Sequence, residues 1–547
     1  MRMNMSAAIP TPIEKCKGAM LATAIGDALG WPIEQRSKNK ARKPKASDFF
    51  VEWTRGCSQP AYHDERILPG EYSDDTQMML AVARSIIIGG WEKHLAEKEL
   101  PYWLQYERGG GGALLKAARS VSEKKVQLWQ SNYTKDYFNA GGNGAAMRIL
   151  PHVIAAKSSP DLLNLMLDVL KDTLITHGHP RAFLGATCYA YALNFLLRKD
   201  AVLEYGGLVS AVIEGQSIWG SFPNPELFGY WLGIANQYAG FDYVQEWKSV
   251  RDNMVRQFEY IKASLKKGLM IDDTKVLTDL ECFGKVNGAG DVAVLAAIYL
   301  ASRYANNPAL GIKVPAFSFG ADTDTLASMT GGLLGMLSGT SWIPPEWKRV
   351  QDYDCLVRTT ELLLSDNRIE AAKAELSEAK SPGSNWITTP IGTIRLIDTK
   401  EVPNGKRGVV IIKKWQTALG QTLYTKKLYL FDNRQQLHTQ SDGQMRFDAQ
   451  PPMSLEPNPQ QPTVQPVPVQ ETAQKPIAAV EPQKRFTLDS ATIMAMLDNP
   501  EFKNNITVGK VFRVVQALLE SNDSAIDIAR RFELDERMVD LIRMCVK

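Results

Sequence analysis

The chain has 547 residues, of which 44% are hydrophobic and 22% charged, with a formal net charge of +3. This composition predicts a soluble chain of several domains, and so small a charge does not by itself point to a polyanionic partner. No apolar run approaches the roughly 20 residues that a membrane-spanning helix needs, and the N-terminal stretch MRMNMSAAIPTPIEK lacks the apolar core of a signal peptide, so neither membrane spanning nor secretion is expected.

The cysteines give an expectation about the compartment. Six are scattered along the chain without a pair at metal-ligand spacing: Cys16, Cys57, Cys188, Cys282, Cys355 and Cys545. Several lie among apolar neighbours, which is typical of small reduced core residues. We therefore expect free thiols and a cytoplasmic protein.

The first predicted element is a helix within residues 13 to 35, where apolar and small residues recur at helical spacing. It is expected to end before Pro32. Asp27 lies inside the apolar segment, and for it a structural role as a buried hydrogen-bond acceptor weighs at least as much as a chemical one. Glu34 would lie on the loop that follows, where reactive groups are often carried, so it is the better candidate for chemistry.

Residues 35 to 70 are basic and irregular, and they predict a surface excursion or lid. The apolar helix that follows begins with a hydroxyl residue and two carboxylates, Ser73, Asp74 and Asp75. Taken alone, this pattern is a helix cap.

A glycine-rich loop, NAGGNGAAMR, precedes the next predicted helix. Backbone N–H groups at such an entrance can bind an anion, although a tight turn is the more common meaning of the pattern. The loop lacks the lysine and spacing of a P-loop. In THGHP, His177 and His179 are too few for a zinc site, and a new helix is expected from Pro180.

The stretch FSFGADTDTLASMTGGLLGML repeats the chemistry of the Ser73 cluster before another buried helix. Asp322 and Asp324 with a neighbouring threonine oxygen suit a hard divalent cation, and capping is the alternative. Two such clusters facing one another would form a site for two cations with oxygen ligands, which favours the metal interpretation over two separate caps. The glycines of the helix would permit close approach of another helix or a ligand.

Further helices are expected at 202–219, 243–266 and 290–304, so residues 1–380 are predicted to form one large helical domain. Residues 384–438 alternate apolar and polar positions and predict a small antiparallel β module of three or four strands. Residues 384–434 contain nine lysines and arginines but only three aspartates and glutamates. This basic face could meet an acidic protein or nucleic acid, but protection of strand edges is the favoured explanation.

The last two segments differ in composition. Residues 439–485 are rich in Gln and Pro and predict a disordered linker. Residues 486–547 predict a small helical module similar to a helix-turn-helix. The helix that would read DNA carries Asp535, Glu536 and Asp540 beside Arg537, and these acids repel phosphates. A protein partner at this module is therefore at least as well supported as nucleic acid.

Five motifs follow one another between residues 13 and 340: GDALG with Glu34 after it, YSDDTQM, GGNGAAMR, THGHP and GADTDT. This ordered set resembles the ADP-ribosylglycohydrolase family, whose bacterial prototype is the dinitrogenase reductase-activating glycohydrolase. The resemblance covers about two thirds of the chain and implies a mainly α protein, with an all-helical glycohydrolase-like domain ahead of the β module, the linker and the C-terminal helical module.

The resemblance implies two bound divalent cations, Mg²⁺ or Mn²⁺. Their ligands would be Ser73, Asp74, Asp75, Asp322, Asp324 and Thr325. The family more usually has threonine at the position of Ser73, and serine keeps the oxygen. The carboxylates expected to take part in catalysis are Glu34, Asp74, Asp75 and Asp324. Glu34 falls where some members of the family carry a mobile glutamate that is proposed as general acid or base.

The resemblance also implies a substrate site. The residues that match the loop around the diphosphate of ADP-ribose are Gly141, Gly142, Asn143 and Gly144, and His177 matches a residue near that ligand. The expected function is metal-dependent hydrolysis of the glycosidic bond between ADP-ribose and a protein side chain. The alternatives are hydrolysis of ADP-ribosylated nucleic acid or small molecules, a non-catalytic ADP-ribose sensor or scaffold, and a transcription regulator built on the C-terminal module.

Overall fold

The computed structural model describes residues 9–56, 64–159, 161–372, 385–404 and 408–430, and six single positions between 514 and 539. The chain separates into two compact units, residues 1–449 and 450–547. The predicted linker at 439–485 lies outside the described residues. Of the predicted C-terminal module only the single positions are described, and Val514, Ala529 and Val539 among them are helical and buried.

The first unit is mainly helical. Its α-helices in the described residues are α1 Pro12–Lys38, α2 Asp74–Ile88, α3 Trp91–His94, α4 Leu100–Trp103, α5 Gly112–Arg119, α6 Thr134–Phe138, α7 Leu150–Ala155, α8 Leu162–Leu174, α9 Pro180–Arg198, α10 Gly207–Glu214, α11 Gln216–Trp219, α12 Pro225–Tyr238, α13 Tyr243–Leu265, α14 Asp273–Asp279, α15 Gly290–Arg303, α16 Pro308–Ala316, α17 Thr323–Ser338 and α18 Tyr353–Leu364. Short π-helices span Leu95–Glu99 and Ser120–Lys124, and 3-10 helices span Leu128–Gln130, Ala146–Arg148, Gly268–Met270 and Pro345–Arg349. No helix in the described part of the chain is both long enough and apolar enough to cross a membrane.

The prediction that the first helix ends before Pro32 is wrong. Helix α1 continues through Pro32 to Lys38, and Glu34 therefore lies on the helix and not on a loop. An interior proline removes one backbone hydrogen bond and costs about 3 kcal/mol. In α1 that cost is offset by tertiary packing, because Trp31 and Ile33 on either side of the proline are buried in the core.

Glycines bring α1 and α17 into backbone contact along their length. A Cβ on Gly30 would lie 2.2 Å from the carbonyl oxygen of Thr323, and a Cβ on Gly26 would lie 2.2 Å from that of Ala327. The Thr323 hydroxyl donates a 2.8 Å hydrogen bond to the Gly30 carbonyl. The close approach expected of the α17 glycines is confirmed, because a Cβ on Gly331 would lie 2.2 Å from the Ala22 carbonyl oxygen and one on Gly335 would lie 2.2 Å from that of Gly18. The approach sets the start of α17 beside the last turns of α1.

The helices expected from the sequence are present with adjusted ends. Helix α9 begins at Pro180 as predicted, and α13 and α15 match the expected 243–266 and 290–304 to within one residue. The helix expected at 202–219 is two helices, α10 and α11, which meet at Gly215. The described residues between 35 and 70 are less irregular than expected, because α1 extends to Lys38 and strands β1 Trp53–Gly56 and β2 Asp64–Ile67 pair antiparallel.

The β module is a four-stranded antiparallel sheet, in the order β3 Trp386–Thr389, β4 Gly392–Asn404, β5 Gly408–Thr417 and β6 Thr422–Leu430. It packs directly on the helical part of the first unit. One apolar cluster joins its side chains to those of the helices: Ile391, Ile394, Trp415 and Leu423 with Leu95, Leu100 and Trp103. In the structure, the β module consists of strands β3 to β6.

Candidate functional site

Three carboxylates meet where the end of α1 faces the start of α17. Glu34, Asp322 and Asp324 each offer an oxygen within 4.8 Å of the others. Asp322 is the N-cap residue of α17, but its side chain makes no capping hydrogen bond. It accepts a 2.9 Å hydrogen bond from the side-chain amide of Asn143 in the glycine loop. The capping alternative therefore does not account for Asp322, whose carboxylate faces the cluster.

The second acidic cluster begins α2. Ser73 is its N-cap residue, with its hydroxyl accepting a 3.3 Å hydrogen bond from the Asp75 amide. Asp27, fully buried on α1, accepts hydrogen bonds from the Ser73 amide at 2.9 Å and from the amide and hydroxyl of Thr76 at 3.0 and 2.6 Å. The structural role considered for Asp27 is confirmed, since it holds the start of α2 in place.

The two clusters touch through α2 and α17. The Thr325 hydroxyl donates a 3.3 Å hydrogen bond to one carboxylate oxygen of Asp75. The other oxygen, Asp75 Oδ1, is buried and has no hydrogen-bond partner in the described part of the chain. A buried carboxylate oxygen without a donor fits a cation ligand, because an unpaired charge at this depth is otherwise costly.

Burial and mutual repulsion dominate the electrostatics of the site. Burial raises the pKa of Asp74, Asp75 and Asp324 well above the usual range, and neighbouring carboxylates raise it further. The negative charge of Glu34 raises the pKa of Asp324, and that of Glu107 raises the pKa of Asp74. So many carboxylates in one buried space favour either protons or a divalent cation, and oxygen-only donors are typical of Mg²⁺ and Mn²⁺ sites.

One lysine lies against this cluster. Lys38, one helical turn after Glu34 on α1, forms an ion pair with the Glu34 carboxylate. Burial raises the pKa of Glu34 and Asp322 raises it further, while Lys38 opposes both effects. The pKa of Lys38 is itself raised: burial works against the shift, and Glu34, Asp324 and Asp322 outweigh it. The acidic cluster thus carries its own partial counter-charge.

The glycine loop lies beside Asp322 and is fixed to the turn before α15. The backbone N–H of Asn143 donates to the Gly288 carbonyl at 2.9 Å, and the backbone N–H of Gly290 donates to the Gly141 carbonyl at 3.0 Å. No backbone carbonyl of the described residues accepts the amides of Gly142 or Gly144. The loop leads into a single 3-10 turn and the six-residue helix α7, which is a weaker helix entrance than the sequence predicts.

His177 lies underneath this loop. A Cβ on Gly144 would lie 3.1 Å from the His177 ring, which is a tight contact, so glycine favours the close approach of the loop to the ring. Its Nδ1 is 2.7 Å from the Thr176 hydroxyl. Burial, reinforced by the guanidinium of Arg148, lowers the pKa of His177 to about 3, so the ring is neutral at physiological pH.

Comparison with known proteins agrees with this geometry. The family model described as ADP-ribosylglycohydrolase matches residues 8–375, more than half of the chain. The chain belongs to the ADP-ribosylglycohydrolase family. The match ends before the β module, which is additional to the family region.

Several curated ADP-ribosylglycohydrolase relatives are similar to the chain. ADP-ribosylarginine hydrolase Tri1 of Serratia proteamaculans is 23% identical over 340 residues, which are 61% of this chain and 74% of that protein. ADP-ribosyl-[dinitrogen reductase] glycohydrolase of Rhodospirillum rubrum is 30% identical over 174 residues, 31% of this chain and 54% of that protein. ADP-ribosylhydrolase ARH3 of Xenopus tropicalis is 20% identical over 352 residues, 61% of this chain and 90% of that protein.

Three residues near the site of this ADP-ribosylglycohydrolase family member are not predicted from the sequence. Lys38 lies four residues after Glu34, a helical spacing that has meaning only if α1 passes Pro32. Glu107 acts on Asp74 through space, and nothing in the local sequence indicates it. Arg108 is buried between two carboxylates, and a buried arginine cannot be told from an exposed one by residue type.

Proposed function

We propose that the protein is a metal-dependent hydrolase that releases ADP-ribose from a modified protein side chain. The observation that carries the proposal is the meeting of Glu34, Asp322 and Asp324 beside the Ser73–Asp75 cluster. These groups come from three helices far apart in sequence and converge next to the glycine loop. Helix capping needs no such convergence, whereas cation binding does.

The proposed cofactors are two divalent cations, Mg²⁺ or Mn²⁺. The proposed ligands are the oxygens of Ser73, Asp74, Asp75, Asp322, Asp324 and Thr325. The unpaired Asp75 Oδ1 and the raised pKa values of the buried aspartates support this set. Bound cations would supply Lewis acidity toward ribose hydroxyls and a water of lowered pKa.

The protein's own groups have distinct proposed roles. The amides of Gly142 and Gly144, which donate to no backbone carbonyl of the described residues, would bind the diphosphate at a distance from the bond that breaks. The Asn143 side chain would keep this loop in register with Asp322. The neutral His177 ring would support the loop from below and not act as a base.

Glu34 is the proposed general acid or base. Burial and the neighbouring Asp322 raise its pKa, which favours the protonated carboxyl, and a protonated carboxyl can donate a proton to the departing side chain. Breaking the glycosidic bond develops positive charge on the ribose, and the carboxylates of Asp74, Asp75 and Asp324 would stabilise that charge.

The similarity to an ADP-ribosylarginine hydrolase makes arginine-linked ADP-ribose the first linkage to test, and the similarity to an ADP-ribosyl-[dinitrogen reductase] glycohydrolase makes a protein the first carrier to test. We propose residues 1–380 as the catalytic domain and 384–438 as the β module. The 486–547 module, joined by the 439–485 segment, is proposed as a docking site for a protein partner in the cytoplasm, and its acidic residues make nucleic acid a poorer candidate.

The deciding experiment incubates the full-length protein with arginine-linked, serine-linked and nucleic-acid-linked ADP-ribose, with Mg²⁺, with Mn²⁺ or with a chelator. Release of free ADP-ribose is followed by mass spectrometry. We expect release from a protein substrate that needs the metal and is lost in Asp322→Ala. Binding of ADP-ribose without release from any substrate would replace the hydrolase proposal by a sensor.

A further inference from the structure

Strand β6 of the β module reaches two buried carboxylates of the helical region. The Tyr424 hydroxyl donates a 2.8 Å hydrogen bond to Glu71 Oε1. The Lys426 ammonium forms an ion pair with Glu65 Oε2. Glu71 lies two residues before Ser73, and both glutamates are more than nine-tenths buried. Buried carboxylates need such partners, so these contacts are part of what keeps the segment from Glu65 to Glu71 in place.

Arg108 joins the same two glutamates. Its Nε is 3.0 Å from Glu65 Oε1, and a terminal nitrogen is 3.1 Å from Glu71 Oε2. The guanidinium also lies over the Tyr424 ring, 4.1 Å from its centroid. Arg55 adds a longer contact to Glu65, at 3.6 Å. Burial opposes ionisation of Glu65, but Arg108 and Lys426 hold its pKa at about 2, so the network stays charged across the physiological range.

This network ends at the candidate active site on the Arg108 side. The next residue, Gly109, has φ +106°, and a Cβ there would lie 3.0 Å from Asp74 Oδ1. The Arg108 amide is fixed by a 3.2 Å hydrogen bond to Gln77 Oε1 in α2. The backbone that follows Arg108 thus packs close to the Asp74 carboxylate, with no room for a side chain between them.

A second contact of the β module leads to the same place. The Thr422 amide donates a 2.8 Å hydrogen bond to Asp352 Oδ2, and the Tyr72 hydroxyl donates to the same oxygen at 2.7 Å. Tyr72 directly precedes Ser73. The β module thus has a polar link to each of the two residues ahead of the Ser73 cluster, Glu71 and Tyr72.

We infer that the β module, which the family match does not include, is a structural component of the active site, with Tyr424 and Lys426 as positioning residues. They hold the Glu71–Asp74 segment and the Arg108–Gly109 turn against each other, and through them the Asp74 carboxylate. Neither side chain is placed on the reacting atoms. The inference rests on the proposed function for its kinetic consequence, but the coupling itself does not require the protein to be a hydrolase.

The test uses the full-length protein with the variants Tyr424→Phe and Lys426→Met. Strand β6 offers matched controls, Tyr429→Phe and Lys427→Met, because the Lys427 ammonium lies over the Tyr429 ring within the β module and makes no ion pair with the helical region among the described residues. Tyr424→Phe removes one hydroxyl and keeps the ring under Arg108, so it is the variant least prone to misfold.

Three measurements are made on each variant. Hydrogen exchange of peptides covering 66–77 and 104–112 is expected to rise about tenfold in Tyr424→Phe and Lys426→Met and to stay unchanged in both controls. The Mn²⁺ dissociation constant is expected to rise about fivefold. With a cleaved substrate, kcat is expected to fall about tenfold and KM to change less than about twofold, because the substrate-contacting loop is untouched. Lys426→Arg is expected to restore most of the loss.

Unchanged exchange in both peptides of a folded Tyr424→Phe protein, or an equal change in Tyr429→Phe, overturns the inference. The exchange measurement needs neither metal nor substrate. A wild-type protein that releases no ADP-ribose therefore defeats the proposed function alone, and the coupling is still decided by the exchange data.

Discussion

Replacing Lys38 with methionine tests the electrostatic account of the candidate site. In the metal-free protein the Lys38 ammonium partly neutralises Glu34, and Asp324 and Asp322 act on the same charge. A divalent cation held by these carboxylates would be repelled by that ammonium. Removing the ammonium should therefore tighten metal binding, although it removes an ion pair.

The size of the effect follows from the geometry. At a separation of about 6 Å and an effective dielectric constant of about 40 to 80, a single and a double positive charge repel by roughly 1.4 to 2.8 kcal/mol. The Lys38 side chain is 56% exposed, so solvent screens it and it can turn away when the metal enters. We expect about 1 kcal/mol to remain, which is about a fivefold lower Mn²⁺ dissociation constant.

The assay is titration of chelator-treated protein with Mn²⁺, with free Mn²⁺ read by electron paramagnetic resonance. Lys43→Met is the control, since Lys43 is an exposed lysine on the segment after α1 and has no ion pair among the described residues. Unchanged or weaker Mn²⁺ binding in Lys38→Met would refute the idea that Lys38 acts as a counter-charge that the metal displaces.

Three further outcomes are expected. Asp324→Asn should lower kcat by about 10²-fold or more. It should also raise the melting temperature of the metal-free protein, because it removes a buried charge that neighbouring carboxylates repel, and a lower melting temperature would contradict the repulsion argument. The carboxylates of Asp74, Asp75 and Asp324 have folded-state pKa values above their unfolded values, so their contribution to metal-free stability should be fully present below about pH 4 and be lost as pH rises through the folded-state pKa values. Saturating Mn²⁺ should abolish this loss, and parallel melting curves with and without metal would exclude it. Gly30→Ala should cost about 1 to 3 kcal/mol by urea unfolding, because the new methyl meets the Thr323 carbonyl, whereas Gly229→Ala, with open space at its Cβ, should not destabilise the protein.

Much of the helical architecture is local information. The period of apolar residues predicts α9, α13, α15 and α17, because the buried positions of a helix recur every three to four residues along the sequence. The alternating pattern after residue 384 predicts three or four antiparallel strands in the same way, and the sheet has four. The error at Pro32 arises because proline ends a helix by local rules, and only the packing of Trp31 and Ile33 offsets its cost.

The candidate site divides along the same line. The sequence alone identifies the acidic clusters at Ser73 and Asp322, the glycine loop and their order, because each of these motifs is defined by residue type and short spacing. Tertiary structure decided which carboxylates meet: it placed Glu34 on α1 against α17, brought Thr325 to Asp75, and set Lys38 beside Glu34.

It also decided that the β module reaches Glu65 and Glu71. Contacts between residues hundreds of positions apart depend on how helices pack, and packing is a property of the whole core that no local pattern records.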